Sequence, residues 1–337
     1  MTVRAVQVHA FGALADVVVE DVPSPEPGPG EVVLDVHASG LNFPDLLVVS
    51  GRYQVRPPLP FSPGKEVAGV VVEAAPDVVS PRPGQRVMAQ LEYGGYRERV
   101  AVPAELCVPV PDGMSCAEAG GFGLVHLTAH AALVRRARLR AGEIVLVTGA
   151  GGGVGGATVG LAKALGATVI AVARDERRRA ASLGQGADHA LMADPATLRD
   201  QVRELTGGHG ADVVVESVGG DLFAACLRCV AWEGRLVVVG FAGGDIPSVK
   251  AGHLLVKNIG VLGLQASDYR DREPAYMREV LVELLALRVK GALRAPVEAV
   301  FPLEKAAEAL AGLERGGLTG RLILGRRACG CGEELER

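Results

Sequence analysis

The residues with the clearest chemical meaning form a glycine-rich turn near the middle of the chain. Residues 149–155 lie between an apolar run at 144–147, typical of a buried parallel strand, and a predicted helix at 158–166. Small residues let the backbone approach a pyrophosphate closely, and the helix N-terminus adds free N–H groups and a partial positive charge. An ordinary tight turn is the alternative, but it does not require so many glycines. The context predicts a dinucleotide site with these cofactor-binding residues: Gly149, Gly151, Gly152, Gly153, Val154 and Gly155.

The end of the second predicted strand, residues 168–173, indicates which dinucleotide binds. Sites specific for NAD usually have an Asp or Glu there, bonded to the ribose 2′-hydroxyl. This strand ends without an acid and is followed by Arg174 and by arginines at 177–179. Because arginine can donate two hydrogen bonds to a phosphate, the cluster predicts NADPH, with Arg174 and Arg178 as phosphate ligands. A solvated basic helix face is the alternative, since two acids at 175–176 reduce the local charge.

Composition and charge exclude several other classes of protein. The 337 residues suffice for two domains, and 49% apolar with 22% charged residues is typical of a soluble globular protein. A net charge of −4 and a pI near 6.0 give no basic footprint for nucleic acid. No apolar run approaches the roughly 20 residues that span a bilayer, and the first residues lack a signal-peptide core. We therefore predict a cytoplasmic protein with no nucleic-acid or membrane partner.

The six cysteines do not predict a metal or redox centre. Cys226 and Cys229 lie in a helical stretch, where buried cysteines are more frequent than ligand or redox pairs. Cys329 and Cys331 lie in the polar C-terminal tail, and two ligands alone do not close a zinc site. We expect this tail to be mobile.

The N-terminal third of the chain has the pattern of a β-rich unit. It is rich in Val, Gly and Pro, and predicted strands at 32–38, 67–73 and 86–90 are separated by Pro-Gly turns. This pattern is typical of an all-β, barrel-like domain.

Strands and helices alternate in the rest of the chain, which predicts a parallel sheet with helices on both faces. The predicted strands are 143–148, 168–173, 211–216, 235–240 and 259–264, and the predicted helices are 124–138, 154–165, 175–183, 196–206, 221–230 and 273–289. The last segments predict strand 297–301, helix 303–313 and strand 320–324. We expect them to rejoin the N-terminal unit, because a domain inserted into a barrel has barrel segments on both sides.

Six motifs are spread over nearly the whole chain. They are Ser39-Gly-Leu-Asn-Phe-Pro-Asp45, Ser50-Gly-Arg-Tyr53, Pro63-Gly-Lys-Glu-Val-Ala-Gly-Val70, Gly94-Gly-Tyr96, Gly149-Ala-Gly-Gly-Gly-Val-Gly155 and Thr319-Gly-Arg-Leu-Ile323. Together they resemble the medium-chain dehydrogenase/reductase superfamily, and within it the zinc-independent quinone oxidoreductases of the zeta-crystallin-like branch. The resemblance implies an α/β chain with a GroES-like β-rich catalytic domain, residues 1–123 and 296–337, and a Rossmann dinucleotide-binding domain, residues 124–295.

The positions that bind zinc in other members of the superfamily predict no metal here. Zinc-dependent relatives have a Cys and a His-Glu pair where this chain has Asn42 and Lys65-Glu66. Asn is a poor zinc ligand, and a protonated Lys cannot ligate a metal at all. The four-cysteine zinc lobe of those relatives is also missing, because residues 88–96 contain no cysteine.

Without a metal, the resemblance implies hydride transfer from NADPH to an electron-poor acceptor, either a quinone or an α,β-unsaturated carbonyl compound. Asn42 and Tyr53 match the family's polar cleft positions and are the candidate catalytic residues. Asn42 could instead bond its own turn, and Tyr53 could be a packing aromatic. Lys65 is expected to be a charged surface residue or a polar residue at the rim of the cleft. Leu47, where some relatives have a bulky Tyr, favours an apolar acceptor.

Further cofactor contacts are expected where later strands of the parallel sheet end, because ligands bind outside the carboxyl ends of such strands. These candidates are Ser217, Val218, Gly240, Phe241, Ala242, Gly243, Leu264, Gln265 and Ala266. The resemblance implies that Thr128 faces the cofactor and that Arg321 reaches its phosphates. Alternatively, the Thr128 hydroxyl could bond to a backbone carbonyl of its own helix, and Arg321 could be a surface residue. The family's aromatic residue near the adenine is replaced here by Ala193.

The sequence leaves two alternative functions open and also predicts how the chain assembles. A Gly-x-Tyr setting like that of Tyr53 also occurs in enoyl-thioester reductases, which makes an enoyl-CoA or enoyl-ACP reductase the alternative enzyme. A non-catalytic NADPH-binding structural or regulatory role is the alternative of another class. The apolar runs at 235–240 and 259–264 predict a homodimer, since pairing would bury an exposed sheet edge.

Overall fold

The structure is a computed structural model, and it describes residues 1–325. Cys329 and Cys331 lie outside the described residues. The chain divides into two compact units. The first unit consists of residues 1–124, residues 270–282 and the segment that begins at Ala295, and the second unit consists of residues 125–269 and 283–294.

The strands are β1 (Thr2–Gln7), β2 (Val18–Pro23), β3 (Glu31–Gly40), β4 (Glu66–Ala74), β5 (Arg86–Gln90), β6 (Arg99–Pro103), β7 (Val108–Pro109), β8 (Ile144–Thr148), β9 (Thr168–Ala173), β10 (His189–Met192), β11 (Ala211–Glu216), β12 (Val230–Val238), β13 (Gly260–Gly263), β14 (Val297–Phe301) and β15 (Arg321–Gly325).

The helices are α1 (Phe43–Val49), α2 (Cys116–His130), α3 (Gly153–Ala164), α4 (Glu176–Gly184), α5 (Leu198–Leu205), α6 (Gly220–Cys229), α7 (Ala251–Lys257), α8 (Ala266–Arg272), α9 (Pro274–Val289) and α10 (Ala306–Arg315). No helix within residues 1–325 combines the length and the apolar character that crossing a bilayer requires.

The second unit contains a six-stranded parallel sheet with the order β10-β9-β8-β11-β12-β13. Starting from β8 as strand 1, this is the 3-2-1-4-5-6 order of a Rossmann fold. The central strands are runs of Val, Ile, Leu and Ala that are almost wholly buried, as parallel strands covered on both faces must be. The predicted fold class is therefore confirmed for this unit.

The first unit is built on a mostly antiparallel sheet with the order β14-β15-β3-β4-β5-β7, in which β6 also pairs with β3. Strand β15 runs antiparallel to β3, with Ile323 opposite Gly40. The strand from the end of the chain therefore lies in the sheet of the N-terminal strands. This β-rich unit is the expected GroES-like domain.

Helix α2 begins earlier than the sequence predicted, at Cys116 rather than near residue 124. Ser115 caps it, because its hydroxyl accepts the Glu118 N–H at 3.1 Å. Glycines at 120, 121 and 123 lower the helix propensity of this stretch and hid the helix. At Gly120 the small residue is needed, because a Cβ there would lie 2.8 Å from the Cβ of Ala38 on β3.

Candidate functional site

Five of the predicted cofactor-binding segments lie at one edge of the parallel sheet. They follow the ends of β8, β9, β11, β12 and β13, and parallel strands end at the same edge. The strand order reverses between β8 and β11, which is where such sheets bind ligands. A Cβ at Gly149 would lie 2.9 Å from the Ser217 hydroxyl oxygen, so the segments after these two strands are in contact.

The glycine turn after β8 provides a cradle in which the backbone approaches itself closely. Gly149 has a φ of +59°, in the region that favours glycine. A Cβ at Gly155 would lie 2.1 Å from the Gly149 carbonyl oxygen, and one at Gly151 would lie 2.4 Å from the Cβ of Arg178. Helix α3 starts directly from this turn, with Gly152 as N-cap and Gly153 and Val154 as its first residues. Its first-turn N–H groups have no acceptor within the helix, so they can bind an anion.

The arginines after β9 have two different roles. The Arg174 side chain is 61% exposed, and its Nε lies 3.8 Å from the Asp175 carboxylate. The Arg178 side chain is only 12% exposed, and its Nη1 lies 2.9 Å from the same carboxylate. Asp175 caps α4 by accepting the Arg178 N–H, and this backbone hydrogen bond is the main cause that lowers the pKa of the Asp175 carboxyl. Of these two arginines, Arg174 has the accessible guanidinium, and Arg178 packs against the glycine turn at Gly151.

Glu216 is a fully buried carboxylate that sequence reasoning missed. Its oxygens accept the N–H of Val218 at 2.8 Å and the N–H of Gly219 at 3.0 Å. The Thr148 hydroxyl, at the end of β8, donates to the same carboxylate at 3.2 Å. Burial raises the pKa of Glu216, while these hydrogen bonds act in the opposite direction. Glu216 thus connects the ends of the two central strands. The feature of the sequence that could have revealed it is an acidic residue directly after a run of three valines.

The predicted cofactor-binding segments after β11 and β12 are hydrogen-bonded to each other at the same edge of the sheet. Ala242 donates its N–H to the Ser217 carbonyl at 3.0 Å, and Gly243 donates to the Val218 carbonyl at 2.8 Å. Gly240 and Phe241 precede these residues, and a Cβ at Gly219 would lie 3.4 Å from the Phe241 ring.

After β13, the Leu264 N–H donates to the Val238 carbonyl at 3.0 Å, and the Gln265 amide donates to the Ser267 hydroxyl at 2.9 Å. Ala266 is the first residue of α8. Thr128 lies elsewhere, on α2, and is buried.

Asn42, Glu66 and Arg321 form a buried polar cluster in the first unit. The Asn42 side-chain amide donates to the Glu66 carboxylate and to the Gly40 carbonyl, at 3.0 Å each. Arg321 Nη2 lies 2.7 Å from both the Asn42 carbonyl oxygen and the Glu66 carboxylate. The second Glu66 oxygen accepts the Leu124 N–H at 2.9 Å. Both candidate residues, Asn42 and Arg321, are therefore held in internal hydrogen bonds, and their contacts with substrate or cofactor stay predictions.

Asp45 and Tyr96 hold the turn that carries Asn42. The Asp45 carboxylate accepts the Asn42 N–H at 2.8 Å and the Tyr96 hydroxyl at 2.6 Å. Burial raises the pKa of Asp45 to about 6, although the Tyr96 hydrogen bond and the charge of Lys65 act to lower it. Burial and the Asp45 charge raise the pKa of Tyr96 well above its usual value, so the phenol keeps its proton and donates a hydrogen bond to Asp45.

Lys65 is buried, so the expectation of a surface charge is wrong. Its side chain is 3% exposed, and its ammonium lies 2.7 Å from the Glu92 carboxylate. Arg270 binds the other Glu92 oxygen at 2.7 Å. The Lys65 ammonium also lies 4.4 Å from the centre of the Tyr53 ring, within the range of a cation–π interaction. The shared carboxylate offsets the cost of burying the cation, and the ammonium packs against one of the two candidate catalytic residues.

No group of three or more His, Cys, Asp or Glu side chains within residues 1–325 is arranged to hold a metal ion.

Comparisons with known proteins agree with this arrangement. Residues 28–112 match the model of the alcohol dehydrogenase GroES-like domain, and residues 153–284 match the model described as zinc-binding dehydrogenase. The chain is 38% identical, over 95% of its length and 88% of the relative's, to a quinone oxidoreductase-like protein 2 homolog from Nematostella vectensis. The chain belongs to the quinone oxidoreductase-like medium-chain dehydrogenases/reductases. As a member of this family it is an oxidoreductase.

Two further matches place this medium-chain dehydrogenase/reductase among its relatives. A mycobacterial protein solved in complex with NADPH is 30% identical, with a TM-score of 0.89 over 96% of this chain and 100% of that chain. A mycocerosic acid synthase-like polyketide synthase from Mycobacterium tuberculosis is 35% identical over 88% of this chain, which corresponds to 14% of the synthase.

Proposed function

We propose that this protein is an NADPH-dependent, metal-free oxidoreductase that reduces a quinone or an α,β-unsaturated carbonyl compound. The observation that carries the proposal is the edge of the parallel sheet, where the glycine cradle adjoins the arginines after β9. The solved relative in complex with NADPH supports the choice of cofactor.

The residues at this edge fit NADPH. The N-terminus of α3 and the cradle of Gly149, Gly151 and Gly155 suit the pyrophosphate, because they combine free N–H groups with room for close approach. The exposed guanidinium of Arg174 suits the 2′-phosphate. When bound, the cofactor supplies the hydride.

The chemistry of the polar cluster favours a reaction without a metal. The Glu66 carboxylate is paired with Arg321, and the neighbouring Lys65 ammonium is paired with Glu92. A protonated lysine has no lone pair to donate, and the Asn42 carbonyl oxygen already accepts from Arg321. Quinones and conjugated alkenes accept hydride without a Lewis acid, so these substrates match the residues present.

Tyr53 and Asn42 are the proposed polar contacts of the acceptor. Lys65 packs its charge against the Tyr53 ring, which restricts the orientations available to that ring. Asn42 is held by Glu66 and Arg321, so its amide has a defined position. Both residues would then orient an acceptor carbonyl rather than provide a covalent intermediate.

The test is steady-state oxidation of NADPH and NADH, with and without EDTA. The acceptors are 1,2-naphthoquinone, a simple enone and crotonyl-CoA. We expect turnover of the quinone or the enone that prefers NADPH and does not respond to EDTA. Loss of this turnover in EDTA would contradict the metal-free proposal.

An enoyl-thioester reductase is the second candidate, and the match to a segment of a polyketide synthase favours it. Turnover confined to crotonyl-CoA, together with a large loss of kcat in Tyr53→Phe, would support this candidate. Tight NADPH binding with no turnover of any acceptor would instead support a non-catalytic, cofactor-binding role.

Arg174→Ala is expected to raise the KM for NADPH about ten- to a hundredfold while leaving the KM for NADH unchanged. The reason is the loss of a charge-assisted contact with the 2′-phosphate, worth about 1.5–3 kcal/mol. Arg203→Ala, an exposed arginine on α5, is the control and should change neither value. An unchanged KM for NADPH in Arg174→Ala would show that another residue reads the phosphate.

We also propose a homodimer in which β13 and the region of α7 meet their copies. Strand β13 is the last strand of its sheet, and three apolar side chains in the region of α7 are strongly exposed: Ile246 (75%), Leu255 (79%) and Val256 (80%). A second copy of the chain would cover both the edge and the apolar side chains.

Light scattering at micromolar concentration should give about twice the chain mass of 34.9 kDa. The double variant Leu255→Glu/Val256→Glu should shift the mass to that of the monomer, because each new charge would be buried without a partner. Val79→Glu replaces a valine of the first unit that is 77% exposed and should leave the dimer intact. A monomeric wild-type protein would refute the dimer.

A further inference from the structure

A thiol, an imidazole and a carboxylate lie next to one another in the first unit, among residues to which the proposed function gives no role. The Cys116 sulfur lies 3.7 Å from Nδ1 of His37, and Nε2 of His37 lies 3.3 Å from the Asp35 carboxylate. Asp35 and His37 are two residues apart on β3, so their side chains leave the same face of the strand. Cys116 is the first residue of α2.

Cys116, His37 and Asp35 are arranged like a nucleophile, the base that takes its proton and the carboxylate that orients the base. With the Asp35 carboxylate at Nε2, the imidazole carries its proton there and presents the Nδ1 lone pair to the thiol. The surroundings of the sulfur are also positive. Arg86 Nη2 lies 4.0 Å from it, and the N-terminus of the 15-residue helix α2 carries a partial positive charge. The thiolate is the reactive form of cysteine, and it forms when the S–H proton leaves.

The other cysteines within residues 1–325 have different surroundings. Cys107, Cys226 and Cys229 are at most 1% exposed, whereas Cys116 is 6% exposed. Burial raises the pKa of Cys107 to about 12 and the pKa of Cys229 to about 11, and raises that of Cys226 well above its usual value. The side chains of His37 and Asp35 are 19% and 22% exposed, so solvent reaches the group around Cys116.

We propose that Cys116 is a nucleophilic thiol that adds covalently to small electrophilic alkenes, with His37 as its base. The S–H proton passes to Nδ1 of His37 as the sulfur bonds to the β-carbon of the alkene. The π electrons of the C=C bond move toward the carbonyl to give an enolate, which then takes the proton back from His37. The net change is addition of S–H across the double bond, so no oxidant or reductant is needed. The site uses neither the glycine cradle nor NADPH and does not depend on the proposed reductase activity.

The first test is competitive alkylation of the native full-length protein with limiting N-ethylmaleimide, followed by peptide mass spectrometry. The label on each cysteine is assigned by fragmentation of its peptide, because Cys107 and Cys116 lie on one tryptic peptide, and Cys329 and Cys331 are then counted separately from them. We expect Cys116 to be labelled at least about tenfold faster than Cys107, Cys226 and Cys229, because its sulfur lies 3.7 Å from the imidazole that can accept its proton. Labelling of Cys116 at the rate of these three buried cysteines would overturn the proposal.

The second test assigns the role of the base. His37→Gln should slow the labelling of Cys116 about ten- to a hundredfold, because the thiol loses its proton acceptor. Asp35→Asn should give a smaller loss, since it removes only the group that orients the ring. His9→Gln is the control, because His9 also pairs with a carboxylate, that of Glu20, at 3.1 Å; it should change nothing.

Slow labelling of buried Cys107 in the same variants reports that the first unit stays folded. An unchanged Cys116 rate in a folded His37→Gln or Asp35→Asn protein would refute the role of His37 as base.

Discussion

Gly155→Ala is expected to raise the Kd for NADPH at least about a hundredfold, which corresponds to about 2.8 kcal/mol. The new Cβ would lie 2.1 Å from the carbonyl oxygen of Gly149 and 2.6 Å from its carbonyl carbon. Because these are backbone atoms, no side chain can move aside, and the turn between β8 and α3 must open. We also expect the free energy of unfolding to fall by about 1–3 kcal/mol, as in other overpacked sites. Fluorescence titration with NADPH and urea unfolding measure the two effects.

The adjacent residue provides the matched control. A Cβ at Gly156 would lie 3.6 Å from its nearest neighbours, the Ala150 carbonyl oxygen and Gln185 Nε2, and both are ordinary contacts. Gly156→Ala should therefore bind NADPH normally and be slightly more stable, by up to about 1 kcal/mol, because alanine favours the helix. Equal NADPH affinities for the two variants would show that close approach at Gly155 has no role in the cofactor site.

Arg321→Met is expected to lower the free energy of unfolding by about 3–5 kcal/mol. The Glu66 side chain is 2% exposed, and Arg321 is the only cation within residues 1–325 that forms an ion pair with it. Removal of Arg321 leaves a buried carboxylate held by the Asn42 amide and the Leu124 N–H alone. The measurement is the free energy of unfolding in urea at neutral pH.

Two comparisons separate this effect from a general loss of a surface charge. The double variant Glu66→Gln/Arg321→Met should recover part of the lost stability, because it no longer contains an unpaired buried charge. Lys305→Met breaks a pair with Glu308 in which both side chains are 57% exposed, and it should cost less than about 1 kcal/mol. If Arg321→Met costs no more than Lys305→Met, the buried cluster is not a major source of stability.

The sequence alone determined the elements of the parallel sheet. Strands β9 and β11 were predicted with the bounds that the structure has, and β8 within one residue, because continuous apolar runs between turn signals are a local property of the chain. The glycine turn after β8 was equally local: all its residues are neighbours in sequence. Strand β10 was missed because it has four residues, begins with His189 and lacks such a run.

The polar clusters could not be predicted, because their members are distant in sequence. Asn42 and Arg321, which bond at 2.7 Å, are 279 positions apart. Sequence motifs marked both as site residues, and Asn42 and Glu66 match zinc-ligand positions of relatives, yet nothing in the sequence indicated that Arg321 pairs with Glu66. The burial of Lys65 depends on Glu92 and Arg270, and the glycine at position 120, which hid the start of α2, is needed because it packs against β3. Local propensity and periodicity thus determined which segments form the sheet and the cradle. Which charges are buried, and with which partners, was decided only when the tertiary structure brought distant residues into an environment of low dielectric constant, where a charge needs a partner.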